Sequence, residues 1–175
     1  MKGPIVCCLN EMTVEKFGTD VWQNVLEKSN FSKDAEFKAI DDIPDGKFME
    51  LIDNLCNDVS LGLDDIADSF GEYWAVTYAP RMYRCFFLGI KSAKDFLLRI
   101  DTVHDIMARA INASPPKFSY EINENSLIMT YESKRNLIPF FRGLLKGVGK
   151  HFNEQLELLT VSHNKVEIIF PNKEA

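Results

Sequence analysis

Cysteine is scarce in this sequence, and its four copies form no recognisable metal or disulfide motif. No Cys-x-x-Cys pair occurs, and the adjacent Cys7 and Cys8 are poorly placed to bridge each other. We therefore expect reduced, mostly buried thiols in a reducing compartment. A reactive or metal-bound role for Cys7 or Cys8 is the alternative. The cysteines of the chain are Cys7, Cys8, Cys56 and Cys85.

The chain has no excess of basic residues. It contains 20 basic and 26 acidic residues, for a net charge of -6, and the acids are spread along the chain rather than collected in a tail. A surface that binds nucleic acid needs clustered positive charge, so this balance argues against a nucleic-acid partner.

Long hydrophobic runs are also absent. The longest unbroken apolar runs are only a few residues, whereas a membrane-spanning helix needs ~20. The first ten residues contain one basic residue and a short apolar stretch without a clear cleavage site, which is less than a secretory signal. We therefore expect no membrane association and a location in the cytoplasm.

What the chain does have is helical periodicity over its first two thirds. Its 175 residues, 46% of them hydrophobic, suit one domain over 1–175 that buries roughly 70% of the unfolded surface. Polar residues and Pro44-Asp45-Gly46 predict a loop and turn between the second and third helices, and Pro80 predicts another turn. The helical part covers about 1–112, with helices expected over 3–17, about 20–28, 48–59, 66–74 and 92–111, and a short helix or turn over 82–89.

After Pro115 and Pro116 the apolar spacing changes to every second residue. This pattern predicts a β-hairpin around Asn123-Glu124-Asn125, a helix over 137–148, and two more strands on either side of a turn near His163. The part over about 116–175 is thus β-β-α-β-β. We predict an α+β fold in which the helical N-terminal part packs on a C-terminal four-stranded antiparallel sheet with helices.

The alternating run ends in Tyr131, Ser133 and Arg135. If the run is extended, a phenol, a hydroxyl and a guanidinium lie side by side on one face. These donors suit a ligand with two carboxylates on short arms, and haem propionates fit that description. The alternative is that Tyr131 is a half-buried strand tyrosine, that Ser133 and Arg135 cap the next helix, and that no ligand exists.

His104 lies in the middle of an apolar stripe with helical spacing over 97–111. A neutral imidazole that faces an apolar pocket is what an axial iron ligand requires. The alternative is a core histidine satisfied by one backbone carbonyl. His151, near a helix C-terminus, and His163, in a turn, are weaker candidates.

Several motifs together resemble the haem nitric oxide/oxygen binding (H-NOX) family, in its bacterial stand-alone form, over nearly the full chain. The most specific of them is Tyr-x-Ser-x-Arg with a histidine upstream. The motifs are Met1-Lys2-Gly3, Phe17-Gly18-x-x-x-Trp22, His104 a short helix ahead of Pro116, Tyr131-x-Ser133-x-Arg135, and Gly143-Leu144-Leu145-Lys146-Gly147.

The resemblance implies a haem b (iron protoporphyrin IX) bound between the helical part and the sheet. It implies His104 as proximal iron ligand and Pro116 as a residue that presses on the haem and distorts it. The propionates would be held by Tyr131, Ser133 and Arg135, and the haem would also contact Phe140 and Leu144. The zinc site of some bacterial members is not expected, because no cysteine follows Cys85.

Oxygen-binding members of the family carry a distal tyrosine five residues after the arginine of the motif, and here that position is Phe140. Bound dioxygen has superoxide character and gains from a hydrogen-bond donor, whereas NO binds tightly without one. We therefore predict selectivity for NO over oxygen, with CO as a second candidate ligand. Tyr78 or Tyr83 is the alternative donor.

These observations predict a haem-based gas sensor rather than an enzyme. NO would weaken or break the bond between iron and His104 and release strain held with Pro116, a switch between two states. The resemblance implies a sensor histidine kinase or a cyclic-dinucleotide enzyme as a separate partner. The alternatives are a haem-free module that binds an apolar ligand or a protein, and, with least support, an enzyme that uses Cys7 or Cys8 as nucleophile.

Overall fold

A computed structural model describes residues 1–111 and 113–171 of the chain. Position 112 and the tail 172–175, at the predicted ends of the two parts, lie outside the described residues, as does the Ile111 side chain at the end of the predicted stripe. The helices are α1 (Gly3–Phe17), α2 (Thr19–Lys28), α3 (Asp45–Val59), α4 (Leu63–Tyr73), α5 (Ala79–Met82), α6 (Ala93–Leu97), α7 (Ile100–Ile111) and α8 (Ile138–His151). The strands are β1 (Lys117–Ile122), β2 (Ser126–Glu132), β3 (Glu157–Ser162) and β4 (Lys165–Ile169).

The four strands form one antiparallel sheet in the order β1-β2-β4-β3. The hairpin register sets Phe118 opposite Tyr131 and Tyr120 opposite Met129, so these side chains share the face that packs against α8. The predicted α+β class, with a helical N-terminal part and a β-β-α-β-β C-terminal part, is confirmed. Within the described ranges no helix is both long and apolar enough to span a membrane.

Two hydrophobic cores meet along α8. One lies among helices α1 to α4, and the other lies between α8, α6 and the sheet. The neighbouring residues Phe140 and Phe141 of α8 belong to different cores, because successive helical positions point about 100° apart. Helix α8 therefore fixes the distance between the helical part and the sheet.

Helices α4 and α8 cross with their backbones in direct contact. A Cβ atom added at Gly143 would lie 2.1 Å from the Ala67 carbonyl oxygen, and one added at Gly71 would lie 2.0 Å from the Gly143 carbonyl carbon. Side chains are thus excluded from this crossing. An ion pair of Lys150 with Glu72 at 2.7 Å lies beside it.

Three predicted boundaries were wrong. Pro44-Asp45-Gly46 is not a turn but the start of α3, since a proline sets a backbone dihedral compatible with a helix start and an aspartate is favoured in the first turn. The chain does not turn at Pro80 either. A π-helical segment, Trp74–Tyr78, continues α4 into α5, and Pro80 lies in the first turn of α5, directly after this change of helix type.

The long helix predicted over 92–111 is two helices. Ser92 caps α6 as predicted, with its Oγ accepting from the Asp95 backbone N–H at 3.1 Å, but α6 ends at Leu97, a turn at Leu98 and Arg99 follows, and the chain resumes as α7. His104 therefore lies in a different helix from Leu97, the first residue of the apolar stripe predicted around it. The break allows α7 to take a direction of its own.

Candidate functional site

A cavity of about 290 Å³ lies between the helical part and the sheet. Its lining is mostly apolar and comes from both ends of the chain. All seven residues that the sequence singled out for a ligand line this one cavity, although they come from separate segments: His104, Pro116, Tyr131, Ser133, Arg135, Phe140 and Leu144. Their roles toward a ligand remain predictions.

Helix α7 places His104 on one wall of the cavity. The ring lies 5.8 Å from that of Phe118, and Nδ1 is 3.3 Å from the carbonyl oxygen of Pro116. A carbonyl only accepts hydrogen bonds, so Nδ1 carries the proton and donates, and Nε2 keeps its lone pair. One predicted alternative, a histidine held by a backbone carbonyl, is thus present, yet it leaves the other ring nitrogen for a metal.

Burial lowers the pKa of His104, and this effect outweighs the hydrogen bond to Pro116 and the nearby carboxylates of Asp101 and Asp105, which raise it. The imidazole is therefore neutral near pH 7, and a neutral imidazole is the form that binds a metal. The protonation state and the tautomer both suit an axial ligand.

The Phe140 wall of the cavity is aromatic. Phe140 is buried on α8, with its ring centroid 5.4 Å from that of Phe70 and 5.8 Å from that of Phe48. Trp74 stacks on Phe70 at 6.0 Å. Phenylalanine has no hydrogen-bonding group, so the residue at this place offers a bound gas only apolar contact.

Tyr83 also lines the cavity, whereas Tyr78 is not among the lining residues. The Tyr83 ring lies 6.2 Å from that of Trp74, and burial raises the pKa of its hydroxyl, which therefore stays protonated. Of the two tyrosines predicted as alternative donors, Tyr83 is the one that the fold brings to the cavity.

Tyr131, near the end of β2, is buried and stacks on Phe141 with centroids 5.4 Å apart. Ser133 and Arg135 follow in the turn after β2, so the predicted alternation along one strand was wrong for these two. A local hydrogen bond from the Arg135 backbone N–H to Ser133 Oγ, 3.2 Å long, holds them together. Neither residue caps α8, which begins after Leu137 without a side-chain cap.

The Arg135 guanidinium is held from two sides. Its Nε donates to Asp45 Oδ2 at 2.8 Å, and its Nη1 donates to the Ser114 carbonyl oxygen at 2.8 Å. Burial alone would raise the pKa of Asp45, but hydrogen bonds from the Met1 ammonium and Arg135 lower it, so the carboxylate stays charged. A guanidinium fixed in this way still has N–H groups on Nη2 for a carboxylate ligand.

Sequence reasoning missed Asp45 and Ser114 as partners of Arg135. Asp45 lies 90 positions away in the chain and Ser114 lies 21 positions away, and the contacts depend on the tertiary fold. No spacing pattern relates such distant residues. Asp45 stands in the sequence only as part of an apparent turn.

The remaining histidines and the N-terminal cysteines lie outside the cavity lining. His163 is exposed, and His151 packs on Phe87 at 4.9 Å. Cys7 donates from Sγ to the Phe37 carbonyl oxygen at 3.2 Å, and burial raises the pKa of both Cys7 and Cys8. These thiols stay protonated near pH 7, which argues against a nucleophilic role.

The protein groups present fit a metal held within a cofactor that supplies most of the metal's ligands. Within residues 1–111 and 113–171, no three His, Cys, Asp or Glu side chains cluster closely enough to hold a metal ion. Among the described residues that line the cavity, His104 is the one imidazole, and the walls are mostly apolar, with hydroxyl and guanidinium groups among the lining. A porphyrin brings four ring nitrogens for the metal and its own acid groups, so this fold and site define a haem protein.

Comparison with known proteins gives the family. The family model described as Haem-NO-binding matches residues 2–160, and the chain belongs to this family, whose cofactor is haem. In Caenorhabditis elegans it is similar to soluble guanylate cyclase gcy-35, at 20% identity over 95% of this chain, and to gcy-34, at 25% identity over 99%. The chain spans about a quarter of the length of these relatives, 25% and 26% respectively.

The fold is similar to solved H-NOX structures. One is an oxygen-binding H-NOX domain related to soluble guanylate cyclases, in its oxygen complex, with a TM-score of 0.87, 24% identity, and coverage of 98% of this chain and 96% of that one. Another is the Fe(II) unliganded A71G mutant of an H-NOX protein from K. algicida, with a TM-score of 0.85, 22% identity, and coverage of 99% and 98%. The predicted membership of the H-NOX family is confirmed.

Proposed function

We propose that residues 1–175 form one sensor domain that binds NO at ferrous haem and passes the signal, through His104, to a separate partner protein. The observation that carries this proposal is the state of the His104 ring. Its Nδ1 is engaged by Pro116 at 3.3 Å, and its Nε2 keeps a lone pair inside an apolar cavity. The domain itself would catalyse no reaction.

Haem, when bound, would supply a ferrous iron that binds a diatomic gas, and His104 would hold that iron through Nε2. The Pro116 carbonyl orients the His104 ring through Nδ1. Pro116 itself lines the cavity and would press on one face of the porphyrin, while Leu144 and Phe140 would contact the haem from α8.

The haem propionates would be bound near Arg135. In this proposal the Tyr131 and Ser133 hydroxyls donate to propionate oxygens, and Arg135 adds a charge-assisted bond through Nη2. Asp45 and the Ser114 carbonyl keep the guanidinium in place through Nε and Nη1. The cofactor would thus be held at one edge by polar groups and elsewhere by apolar packing.

Selectivity for NO would come from Phe140. A bound oxygen molecule gains from a hydrogen-bond donor, and Phe140 has none, whereas NO needs none. The Phe48 and Phe70 rings that pack on Phe140 keep it in place. CO, which likewise needs no donor, is the second ligand expected.

We propose that the signal passes through His104, which would hold the iron and would be released when NO binds. Helix α7 is separated from α6 by Leu98 and Arg99, so α7 could move with His104 while α6 stays in place. Pro116, which bonds the His104 ring and lines the cavity, would lose its contact with the porphyrin in the same change. Such a two-state change, biased by a ligand, is the form that a gas switch takes.

A sensor histidine kinase or a cyclic-dinucleotide enzyme is the partner we propose. The thiols of Cys7, Cys8, Cys56 and Cys85 are unpaired, which supports a reducing compartment such as the cytoplasm. Purified candidate partners, assayed with the haem-loaded chain in the presence and absence of NO, test this part. A partner whose activity changes only with NO supports it, and equal activity in both conditions contradicts it.

Electronic spectra of the ferrous protein test the ligand. We expect a shift of the main absorption band with NO and no stable change under air other than slow oxidation. His163→Gln, at an exposed position outside the cavity, should behave as the wild type. A stable oxygen complex in air would contradict the NO-selective proposal, and failure to take up hemin would contradict the haem site itself.

A further inference from the structure

His104 brings helix α7 into contact with the start of strand β1. The ring of His104 packs on Phe118 with centroids 5.8 Å apart, and its Nδ1 bonds the carbonyl oxygen of Pro116, just before β1. One turn before His104 is Asp101, and two residues after Phe118, on the same face of the strand, is Tyr120.

The Tyr120 hydroxyl is a buried polar group without a partner. Its oxygen is inaccessible to solvent and makes no hydrogen bond within the described residues. Buried hydroxyls in native proteins nearly always make a hydrogen bond. We therefore infer that the Tyr120 hydroxyl bonds a neighbouring group when that group is placed slightly differently.

Asp101 and Tyr120 flank the contact of His104 with Phe118, so the Asp101 carboxylate is the acceptor that this arrangement assigns to the hydroxyl. Burial first, and then Asp101, raise the pKa of Tyr120. The hydroxyl therefore keeps its proton near pH 7, and a carboxylate is the acceptor that suits it.

We propose that Tyr120 and Asp101 are a positioning pair, in which the Tyr120 O–H donates to the Asp101 carboxylate and fixes α7 on β1, and with it the direction of the His104 ring. The inference rests on the proposed function, because it concerns the pull of His104 on iron. Among the described residues, the bond of Nδ1 to Pro116, at 3.3 Å, is the hydrogen bond that holds the His104 ring. A second hydrogen bond one helical turn away fixes the helix as well as the ring.

The test compares Tyr120→Phe with two changes at Asp101. Tyr120→Phe removes the hydroxyl and keeps the ring, and Asp101→Ala removes the acceptor. Asp101→Asn keeps an acceptor oxygen. Ser119→Ala changes the exposed neighbour on the opposite face of β1 and is the matched control.

The readouts are the iron–histidine stretching band of the ferrous protein, by resonance Raman spectroscopy, and the fraction of the NO complex that has lost its histidine bond. We expect Tyr120→Phe and Asp101→Ala to shift the band and to change the equilibrium between histidine-bound and histidine-released NO complexes roughly fivefold. The two changes should not add when combined, since they remove the same bond. Asp101→Asn and Ser119→Ala should stay near the wild type.

Hydrogen exchange of α7 in the haem-free protein gives an independent outcome. We expect faster exchange at the start of α7 in Tyr120→Phe and unchanged exchange in Ser119→Ala. If the wild type takes up no haem, the proposed function fails while the exchange result still decides this inference. Haem-loaded Tyr120→Phe with a wild-type band and wild-type exchange would overturn the pair.

Discussion

At the scale of single residues, the central group is one imidazole with two different nitrogens. His104 donates from Nδ1 to a main-chain oxygen, and Nε2 has no protein partner among the residues described. The two alternatives predicted for it, a histidine bonded to the backbone and an iron ligand, are therefore compatible. The backbone bond is the common companion of a metal-bound histidine, because it fixes the tautomer and the ring plane. A satisfied backbone bond is therefore no argument against ligation.

The lowered pKa of His104 predicts how the haem-free protein responds to acid. A histidine whose pKa in the folded state lies below its unfolded value stabilises the fold above the unfolded value of about 6.5 and loses that contribution as the pH falls. The free energy of unfolding in urea should thus decrease from about pH 7 to about pH 5. Replacement of His104 by Gln should make this decrease smaller.

Two other histidines provide the comparison. Burial also lowers the pKa of His151, so part of the decrease should remain in the His104→Gln variant. His163 is exposed and lies outside the cavity lining, so His163→Gln is the control for the substitution itself. An unchanged slope in His104→Gln would show that the folded protein does not hold His104 neutral.

Arg135 gives a second prediction at this scale. Replacing it with Gln removes a charge-assisted hydrogen bond, a loss of about 1.5–3 kcal/mol, so haem should leave the protein roughly 10- to 100-fold faster. Haem transfer to an excess of apomyoglobin measures this rate. Lys134→Gln removes the neighbouring exposed charge and should change the rate little. Equal rates for both variants would exclude a propionate contact of Arg135.

At the scale of elements, the sequence predicted which segments are helices and strands better than where they end. The spacing identified α1, α3, α8 and the hairpin, because each buries one clear apolar face. It missed the π-helical passage over Trp74–Tyr78 and the break after Leu97, because apolar spacing continues across both. Both irregular places border the cavity, since Trp74, Ala75, Leu97 and Ile100 line it.

Two glycine substitutions should have opposite effects, one at the crossing of α4 and α8 and one in the open first turn of α3. Gly143→Ala puts a methyl group 2.1 Å from the Ala67 carbonyl oxygen, so the helices must separate, which we expect to cost about 3 kcal/mol. Gly46→Ala meets no atom within 4 Å in α3 and should stabilise by about 0.5–1 kcal/mol. Urea unfolding of the haem-free protein measures both values. A neutral Gly143→Ala would show that α4 and α8 are not in backbone contact.

At the scale of the whole molecule, the cavity exists because two cores face each other across α8 without filling the space between them. Motif resemblance identified the cavity residues that lie in recognisable local patterns, such as Tyr131, Ser133 and Arg135. It did not identify Asp45 or Ser114, whose hydrogen bonds to Arg135 join segments that are distant in the chain. The local patterns were therefore predictable, and their supporting contacts were not.

The side chain at position 140 should decide which gas the haem binds. Phe140→Tyr adds a donor on the wall formed by Phe48 and Phe70, and oxygen should then dissociate at least about tenfold more slowly than from the wild type. Stopped-flow mixing with an oxygen scavenger measures that rate. Phe141→Tyr, at the next position of α8 and on the Tyr131 side of the same cavity, should gain nothing.

Tyr83→Phe tests the alternative donor, the Tyr83 hydroxyl, which could stabilise bound oxygen in place of a tyrosine at position 140. If Phe140 sets the choice of gas, removing the Tyr83 hydroxyl should leave the spectra under air and with NO unchanged. Oxygen binding that is present in the wild type and lost in Tyr83→Phe would instead assign the donor role to Tyr83, which lines the same cavity.

Resonance Raman spectroscopy of the ferrous protein, with and without isotopically labelled histidine, addresses the bond on which the sensor proposal depends. We predict a low-frequency iron–histidine band that shifts with the label, is absent from His104→Ala, and disappears when NO is added. A band that persists in His104→Ala, or no band in ferrous wild-type protein that holds haem, would contradict ligation of the iron by His104.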